Sequence, residues 1–384
     1  MARTPARTSP HSDQPPARTL SGVNLVGYHQ VTSGLATAAR TMERCFRAAG
    51  VDVRPIDVTT TNSPVRRRAQ PPPDSLHPAT VAVVTAAELP RVWNDLDAVR
   101  SATHQLVGVW FWELSTFPPA HQSAIDLVDE IWAPTTFIRD AYEGLGRTVN
   151  LAPLPLLAPQ QSTVGRQRWS RTLSLEPDDF VFLTSFDLFS IIHRKNPLGV
   201  VEAFMRAFGP DVERPVRLIL KVLNGGGVPH DLELIRSAAA VDPRITIIDE
   251  HLDDDLHQGL VSAADCFVSL HRSEGLGLQL ADAMWSGTAV LATRYGGNLD
   301  FMDDSCAALV DARLVRVGDG RGAYPDDALW GEPDLEQAAS WMRRLVTQPE
   351  LVRTMTSNAL NRMRSQPSAS DFGHVYEALL KPSP

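Results

Sequence analysis

The sequence predicts an α/β chain built as two Rossmann-like domains facing each other across a cleft. Three observations carry this expectation. From Val23 onward, apolar strand-like runs alternate with stretches of helical period, the pattern of a parallel sheet covered by helices. The alternation runs through twice, interrupted by a Pro-, Gln- and Ser-rich segment, Pro153 to Arg171, that reads as an interdomain linker. The length of 384 residues exceeds one ordinary core and suits two, at roughly 150 residues each.

In the first half, a short strand is expected at Val23 to Tyr28. The loop Thr32-Ser33-Gly34 then opens a helix in which Leu35, Ala38, Ala39, Met42, Cys45 and Phe46 fall at helical spacing, with Gly50 placed as its cap. Val51 to Val58 is the next strand. Thr59 to Pro78 holds Arg66-Arg67-Arg68 and Pro71-Pro72-Pro73 and reads as a loop. Strands follow at Val81 to Thr85, Leu106 to Trp112, Glu130 to Ala133 and Thr148 to Ala152. The second half repeats the rhythm with strands at Phe180 to Phe186, Val216 to Leu223, Ile245 to Asp249, Cys266 to Leu270 and Ala289 to Thr293. Helices are expected between them at Pro197 to Phe208, Leu232 to Ala240, Leu256 to Ala264 and Leu278 to Ser286. Two closing helices, Leu335 to Val346 and Leu351 to Arg364, should brace the cleft from behind.

Composition narrows the function. A net charge of -9 lacks the basic face that a phosphate-backbone binder needs, which argues against nucleic acid as a partner. Cys45, Cys266 and Cys306 match no zinc spacing and read as reduced core thiols of a cytoplasmic protein. No apolar run is long enough to span a bilayer. The first 20 residues have Arg but no apolar centre, so they read as a disordered tail and not as a secretion signal. A solvated loop explains Arg66 to Arg68 better than contact with an anionic membrane surface, although peripheral contact stays open.

The chemistry concentrates in HRSEGLGLQLADAMWSGTAVLATRYGGNLD, His271 to Asp300. After the strand that ends at Leu270, the loop Glu274-Gly275-Leu276-Gly277 leads into a helix at Leu278. Glycines let the backbone approach a ligand, and the free N–H groups of a helix start favour a diphosphate. Glu274 stands at the loop's mouth, where a carboxylate can accept hydrogen bonds from sugar hydroxyls. Asp282 lies one turn into the helix on the cleft side. A tight turn with a capping Glu and a solvated Asp is the competing reading.

A second group is His193-Arg194-Lys195-Asn196-Pro197. Asn196 can cap a helix and Pro197 suits its first position, so Lys195 stands just before free N–H groups, a good diphosphate receptor. Lysine occurs only at positions 195, 221 and 381 in this Arg-rich chain. Lys195 and Lys221 fall at element ends facing the expected cleft, where a compact point charge suits phosphate; Lys221 snorkelling from a strand end competes equally. In the first half, LVGVWFWELSTFP places Trp112 and Glu113 at a strand's end, with His104 and His121 nearby in surface or capping roles.

Glu274, seven intervening residues and Asp282 resemble the Glu-x7-Glu signature of retaining glycosyltransferases of family four. The segments SEGLGL, ADAM, SGTAVLAT, GGNLD, WFWEL and RKNP are similar to that family's wording over roughly Val23 to Val346. The resemblance implies the GT-B fold, with a tail at 1–20, an acceptor domain at 21–157, a nucleotide-sugar domain at 172–350 and a helical segment at 351–384 packing back on the domains. It implies that Glu274 contacts donor-sugar hydroxyls, that the amides from Gly275 to Leu278 hold the diphosphate, that Lys195 binds phosphate and that Asp282 binds ribose. Asp282 is one methylene shorter than the family's Glu. The family's Arg before the lysine is absent, with Asp187 and Ser190 in that region, and Arg194 or Lys221 is the candidate substitute. Trp112 and Glu113 stand where relatives have a His, making Glu113 the candidate for touching sugar or acceptor. Ser33-Gly34-Leu35 resembles the glycine turn that closes over the donor phosphates.

The expected activity is transfer of a sugar, with retention, from a nucleoside-diphosphate sugar to a hydroxyl acceptor. The acidic runs Asp253 to Asp255 and Asp95-Leu96-Asp97 suit helix starts; the resemblance implies donor binding through amides and cations, with no cofactor beyond the co-substrate and no tightly held metal. Leu223 to Gly227 lacks dinucleotide spacing, so a dehydrogenase is not expected. Two alternatives compete: a non-catalytic sugar-nucleotide-binding protein on a degenerate GT-B frame, and a sugar-phosphate synthase that would need a further cationic pocket in the first domain.

Overall fold

The computed structural model describes residues 22–31, 33–58, 75–209, 215–319, 322 and 324–381. The tail at 1–20, Thr32 and Arg66 to Arg68 lie outside the described residues. The first half is a parallel sheet of β1 (Val23–Gly27), β2 (Val53–Asp57), β3 (Ala79–Val83), β4 (Gln105–Val109), β5 (Glu130–Ala133) and β6 (Thr148–Leu151), ordered β2-β1-β3-β4-β5-β6. β1, VNLVG, and β3, ATVAV, are buried along their whole length, as strands covered on both faces must be.

The second half is a parallel sheet of β7 (Phe180–Asp187), β8 (Val216–Leu223), β9 (Ile245–Ile248), β10 (Cys266–Ser269), β11 (Ala289–Thr293) and β12 (Ala308–Val310). Its order is β12-β11-β10-β7-β8-β9. β7 and β8 pair over eight residues each, from Phe180 opposite Val216 to Asp187 opposite Leu223. An antiparallel hairpin, β13 (Ala312–Arg316) with β14 (Leu329–Pro333), completes the sheets. The architecture is GT-B.

Each sheet reverses direction once, between β1 and β3 and between β7 and β10. At such a switch point the connections leave towards opposite sides and open a crevice at the carboxyl ends of the strands. Polar residues that follow those strands therefore gather at one place.

Three features depart from the sequence expectation. Arg166–Leu173, within the segment expected as a linker, is a helix. Only Trp169 of it is buried, so no apolar period marks it; Arg166 secures it through the Ala263 and Asp179 carbonyls and the Asp265 carboxylate. β12 is three residues long, too short to carry a pattern. The hairpin strand ARLVR has no buried residue and reads as loop.

The last helices span Leu335–Thr347, Pro349–Arg364 and Ala369–Leu380. The final one returns to the first half, where Tyr376 stacks on Trp132, tilts against Phe46 and donates its hydroxyl to the Pro153 carbonyl at 2.6 Å. One apolar cluster thus joins Leu25 and Phe46 of the first half to Val181, Leu260 and Ala281 of the second. The three cysteines are free and buried. Among the described residues, no helix is long and apolar enough to cross a membrane.

Docking of the final helix depends on Gly373, where an added Cβ would lie 2.1 Å from the Cys45 carbonyl oxygen. Elsewhere in a helix, Gly→Ala stabilises by roughly 0.5–1 kcal/mol. Here Gly373→Ala is expected to lower stability by about 1–3 kcal/mol through overpacking, read from the urea midpoint. A raised midpoint would show that the helix does not dock at this position.

Candidate functional site

The carboxyl ends of both sheets enclose a cavity of about 670 Å³. On the first side lie Ser33 to Leu35 after β1, Thr85 to Ala87 after β3, and Phe111 to Glu113 after β4. On the second lie Asp187, Ser190, Arg194 and Lys195 after β7, Lys221 on β8, Glu274 to Leu278 after β10, and Asp282. Every candidate residue named from the sequence lines this one cavity.

The centre is an ion cluster. Lys195 Nζ donates to Glu274 Oε2 at 2.5 Å. Arg194 lies 3.6 Å from Glu274 and 3.7 Å from Glu113. Arg194 is 4% exposed, and its guanidinium also donates to the Ser190 and Ser273 carbonyls. Burial works to raise the Glu274 pKa, but the charges of Lys195 and Arg194 outweigh it and hold the carboxyl at about 2. Burial draws Lys195 below the ordinary lysine value while Glu274 opposes it. Lys195 and Glu274, expected to serve phosphate and sugar separately, form one pair.

Local sequence explains the placement. Asn196 takes a left-handed conformation, accepts from the Gly199 amide and donates to the Leu270 carbonyl, so the cap of the Pro197–Ala207 helix also fixes the end of β10. His271 is fully buried between the Tyr295 carbonyl and the Ser269 hydroxyl. A carbonyl only accepts, so Nε2 carries the proton and Nδ1 accepts from Ser269. Burial lowers the His271 pKa to about 4, which keeps the ring neutral at the root of the Glu274 loop.

Gly277 has φ +95° and precedes the Leu278–Trp285 helix, a backbone state that favours glycine. The amides from Gly275 to Leu278 donate to no group among the described residues. A Cβ on Gly275 would lie 2.9 Å from the Trp112 carbonyl oxygen, because the two halves touch here. The Ser273 hydroxyl donates to the Glu113 carbonyl, and the Thr135 hydroxyl to that of Gly275 at 3.0 Å.

Other expected residues take specific positions. Ser33 caps the Gly34–Ala48 helix by accepting from Ala36, and a Cβ on Gly34 would meet nothing within 4 Å, leaving space open to the cavity. Lys221 lines the cavity but is buried and donates to the Val222 carbonyl at 2.6 Å, so its ammonium does not snorkel to water. Asp187 accepts from the Phe189 amide and from Asn224.

Two residues escaped the sequence reading. His121, expected in a surface or capping role, lines the cavity with its ring edge-on to Trp112 and Phe117. Tyr324, on the hairpin connection, donates to Glu113 Oε2 at 3.1 Å and packs against Trp112. Their neighbours in sequence carry no motif that marks them.

Residues 194–330 match the family described as glycosyl transferases group 1. No curated protein matches the chain by sequence. Three solved structures share the architecture over almost their full length. HepE of Anabaena, in complex with UDP and glucose, is 12% identical with a TM-score of 0.64, covering 94% of this chain and 99% of that one. Sucrose-phosphate synthase of Thermosynechococcus elongatus is 17% identical at 0.64, covering 94% and 99%. A glycosyltransferase of Rickettsia africae is 11% identical at 0.68, covering 95% and 100%. The architecture and the family match together support a glycosyltransferase-type chain.

Burial, and secondly the Asp254 charge, raise the Asp282 pKa from 3.8 to about 7. Between these values the folded chain holds a proton that the unfolded chain releases, so stability falls as pH rises through that window. Asp282→Asn removes the cost and is expected to stabilise by on the order of 2 kcal/mol at pH 8 and negligibly at pH 4, measured by thermal unfolding. An equal gain at both pH values would contradict a raised pKa.

Proposed function

We propose that this protein is a retaining glycosyltransferase that moves a sugar from a nucleoside-diphosphate sugar to a hydroxyl acceptor. The observation that carries the reading is the Lys195–Glu274 pair, set beside unpartnered amides from Gly275 to Leu278 at the β7/β10 switch point. Retention rests on the resemblance of the Glu274-x7-Asp282 stretch to family four.

In this reading the chain binds the diphosphate through a cation and a helix start, without a metal. Negative charge grows on the diphosphate as the bond to the sugar breaks, and preorganised donors stabilise that growth. Lys195 supplies a mobile point charge, and the loop amides supply fixed dipoles. Arg194 holds the frame: its donors are engaged by the Ser190 and Ser273 carbonyls and by two carboxylates, so it positions Glu113 and Glu274 and lends charge to the site. Glu274, held ionised, accepts from the sugar hydroxyls and orients the ring. Asp282 meets the ribose from its place on the helix. When phosphate draws Lys195, Glu274 is freed for the sugar, so donor binding exchanges one ion pair for two contacts.

A second reading, a sugar-nucleotide-binding protein without turnover, is favoured by Asp282, whose raised pKa leaves it partly neutral at pH 7 and a weaker acceptor for ribose.

Thermal-shift titration with UDP, GDP, ADP and dTDP tests the reading. One nucleotide should stabilise the chain, by about 2.7 kcal/mol at a hundredfold excess over Kd. Lys195→Ala should weaken that nucleotide at least tenfold. Glu274→Ala should abolish slow release of free sugar from the matching donor. Binding without any sugar release or transfer selects the second reading, and no shift with any of the four overturns both.

A further inference from the structure

The two walls of the cavity differ in where their cations lie. The second half contributes Arg194, Lys195 and Lys221 beside the carboxylates of Asp187, Asp254, Glu274 and Asp282. Among the described residues of the first half, no lysine or arginine lines the cavity; Glu113 brings its one formal charge. The rest of that wall is apolar or weakly polar, with Phe111 and Trp112 facing the space beside Thr85, Ala86 and Ala87.

Two polar atoms on this wall lack partners among the described residues, the Tyr142 hydroxyl and His121 Nδ1. Tyr142 is fully buried, fixed by its ring against Trp110 and Phe117, and it lines the cavity. Burial of a hydroxyl without a hydrogen bond is costly, so such a group in a wall of a cavity marks a place where a ligand's polar atom completes the set. His121 sits between Trp112 and Phe117, and burial lowers its pKa, which keeps the ring neutral near pH 7.

We infer that the first-half wall binds an uncharged hydroxyl compound with an apolar face, seated on Trp112 and hydrogen-bonded by Tyr142 and His121. The inference rests on the transferase reading for its meaning, since the compound is then the acceptor. The first-half wall offers a phosphorylated acceptor no cation of its own: Arg194, 3.7 Å from Glu113, is already held by Glu274 and by the Ser190 and Ser273 carbonyls, and the Glu113 carboxylate repels phosphate. A hexoside fits the class: its ring carries C–H groups on one face, which lie on an aromatic ring, and hydroxyls around the rim.

The test is isothermal titration of the full chain with 4-nitrophenyl β-D-glucopyranoside and with glucose 6-phosphate, each without nucleotide and with the nucleotide that stabilises the chain. With the nucleotide occupying the Lys195 and loop-amide side, the glucoside should bind at least tenfold more tightly than the phosphate ester. Tyr142→Phe, which keeps the ring, should weaken the glucoside about fivefold to tenfold, the usual worth of one hydrogen bond. Glu113→Gln should narrow the gap between the two probes about threefold by removing the wall's charge. Equal or tighter binding of glucose 6-phosphate to the nucleotide-bound chain overturns the inference, as does absence of glucoside binding, or wild-type affinity in Tyr142→Phe. Nucleotide binding without glucoside binding rejects this inference alone; failure of both rejects the donor reading with it.

Discussion

The site depends on one buried cation. The Arg194 guanidinium bridges the connection after β7, through the Ser190 carbonyl, to the loop after β10, through that of Ser273. It also faces Glu113 of the first half and Glu274 of the second. An isolated guanidinium would not stay in so dry a place; four oxygen partners make it tolerable. The reverse dependence is as strong. Without Arg194 two carboxylates would face each other with Lys195 as their remaining cation, and breaking buried pairs of this kind costs about 3–5 kcal/mol. Asn196, the next residue but one, fixes the strand end beside it. Neighbouring positions of a short segment thus set both the electrostatics and the geometry of the cavity.

Around that cation the cavity is polarised. All the cations and the free amides lie on the second half, interleaved with carboxylates, while the first half offers aromatic rings and a single carboxylate. Such a division suits a reaction in which a negatively charged leaving group departs on one side and a neutral nucleophile approaches from the other. The Lys195–Glu274 pair also keeps both partners charged inside the cavity: the neighbouring cations hold the carboxylate ionised, and the carboxylate opposes the loss of the lysine's proton.

Much of this was legible in the sequence because the physics is local. Strands buried on both faces are largely apolar, so β3 and β11 announce themselves, as does β8 despite Arg217 and Lys221, and β8 and β11 match the expected bounds. Asn196-Pro197 marks a helix start by capping and by the fixed φ of proline. The sequence of the Glu274 loop carries its own reason for glycine. What escaped has no local reason. Arg166–Leu173 is held by ion pairs and carbonyls of distant residues, and the hairpin strand that leads to Tyr324 is exposed. His121 owes its place to Trp112 and Phe117, rings brought to it by the fold. The pairing of Lys195 with Glu274 joins residues 79 positions apart, which only the switch point between β7 and β10 brings together.

The return of the final helix has a mechanical consequence. The chain passes from the first half to the second after β6, and back again before Ala369–Leu380. The Tyr376 hydroxyl on the Pro153 carbonyl fastens the returning helix to the start of the outgoing passage, and Trp285 reaches the same passage at the Leu156 carbonyl. Two covalent crossings pinned together define a spine. Sliding or parting of the halves would strain both crossings at once, whereas turning about the spine leaves them intact. A motion of the cleft that kept both crossings would be confined to a swing about this spine, which would carry Trp112 and Glu113 along one path past the glycine loop.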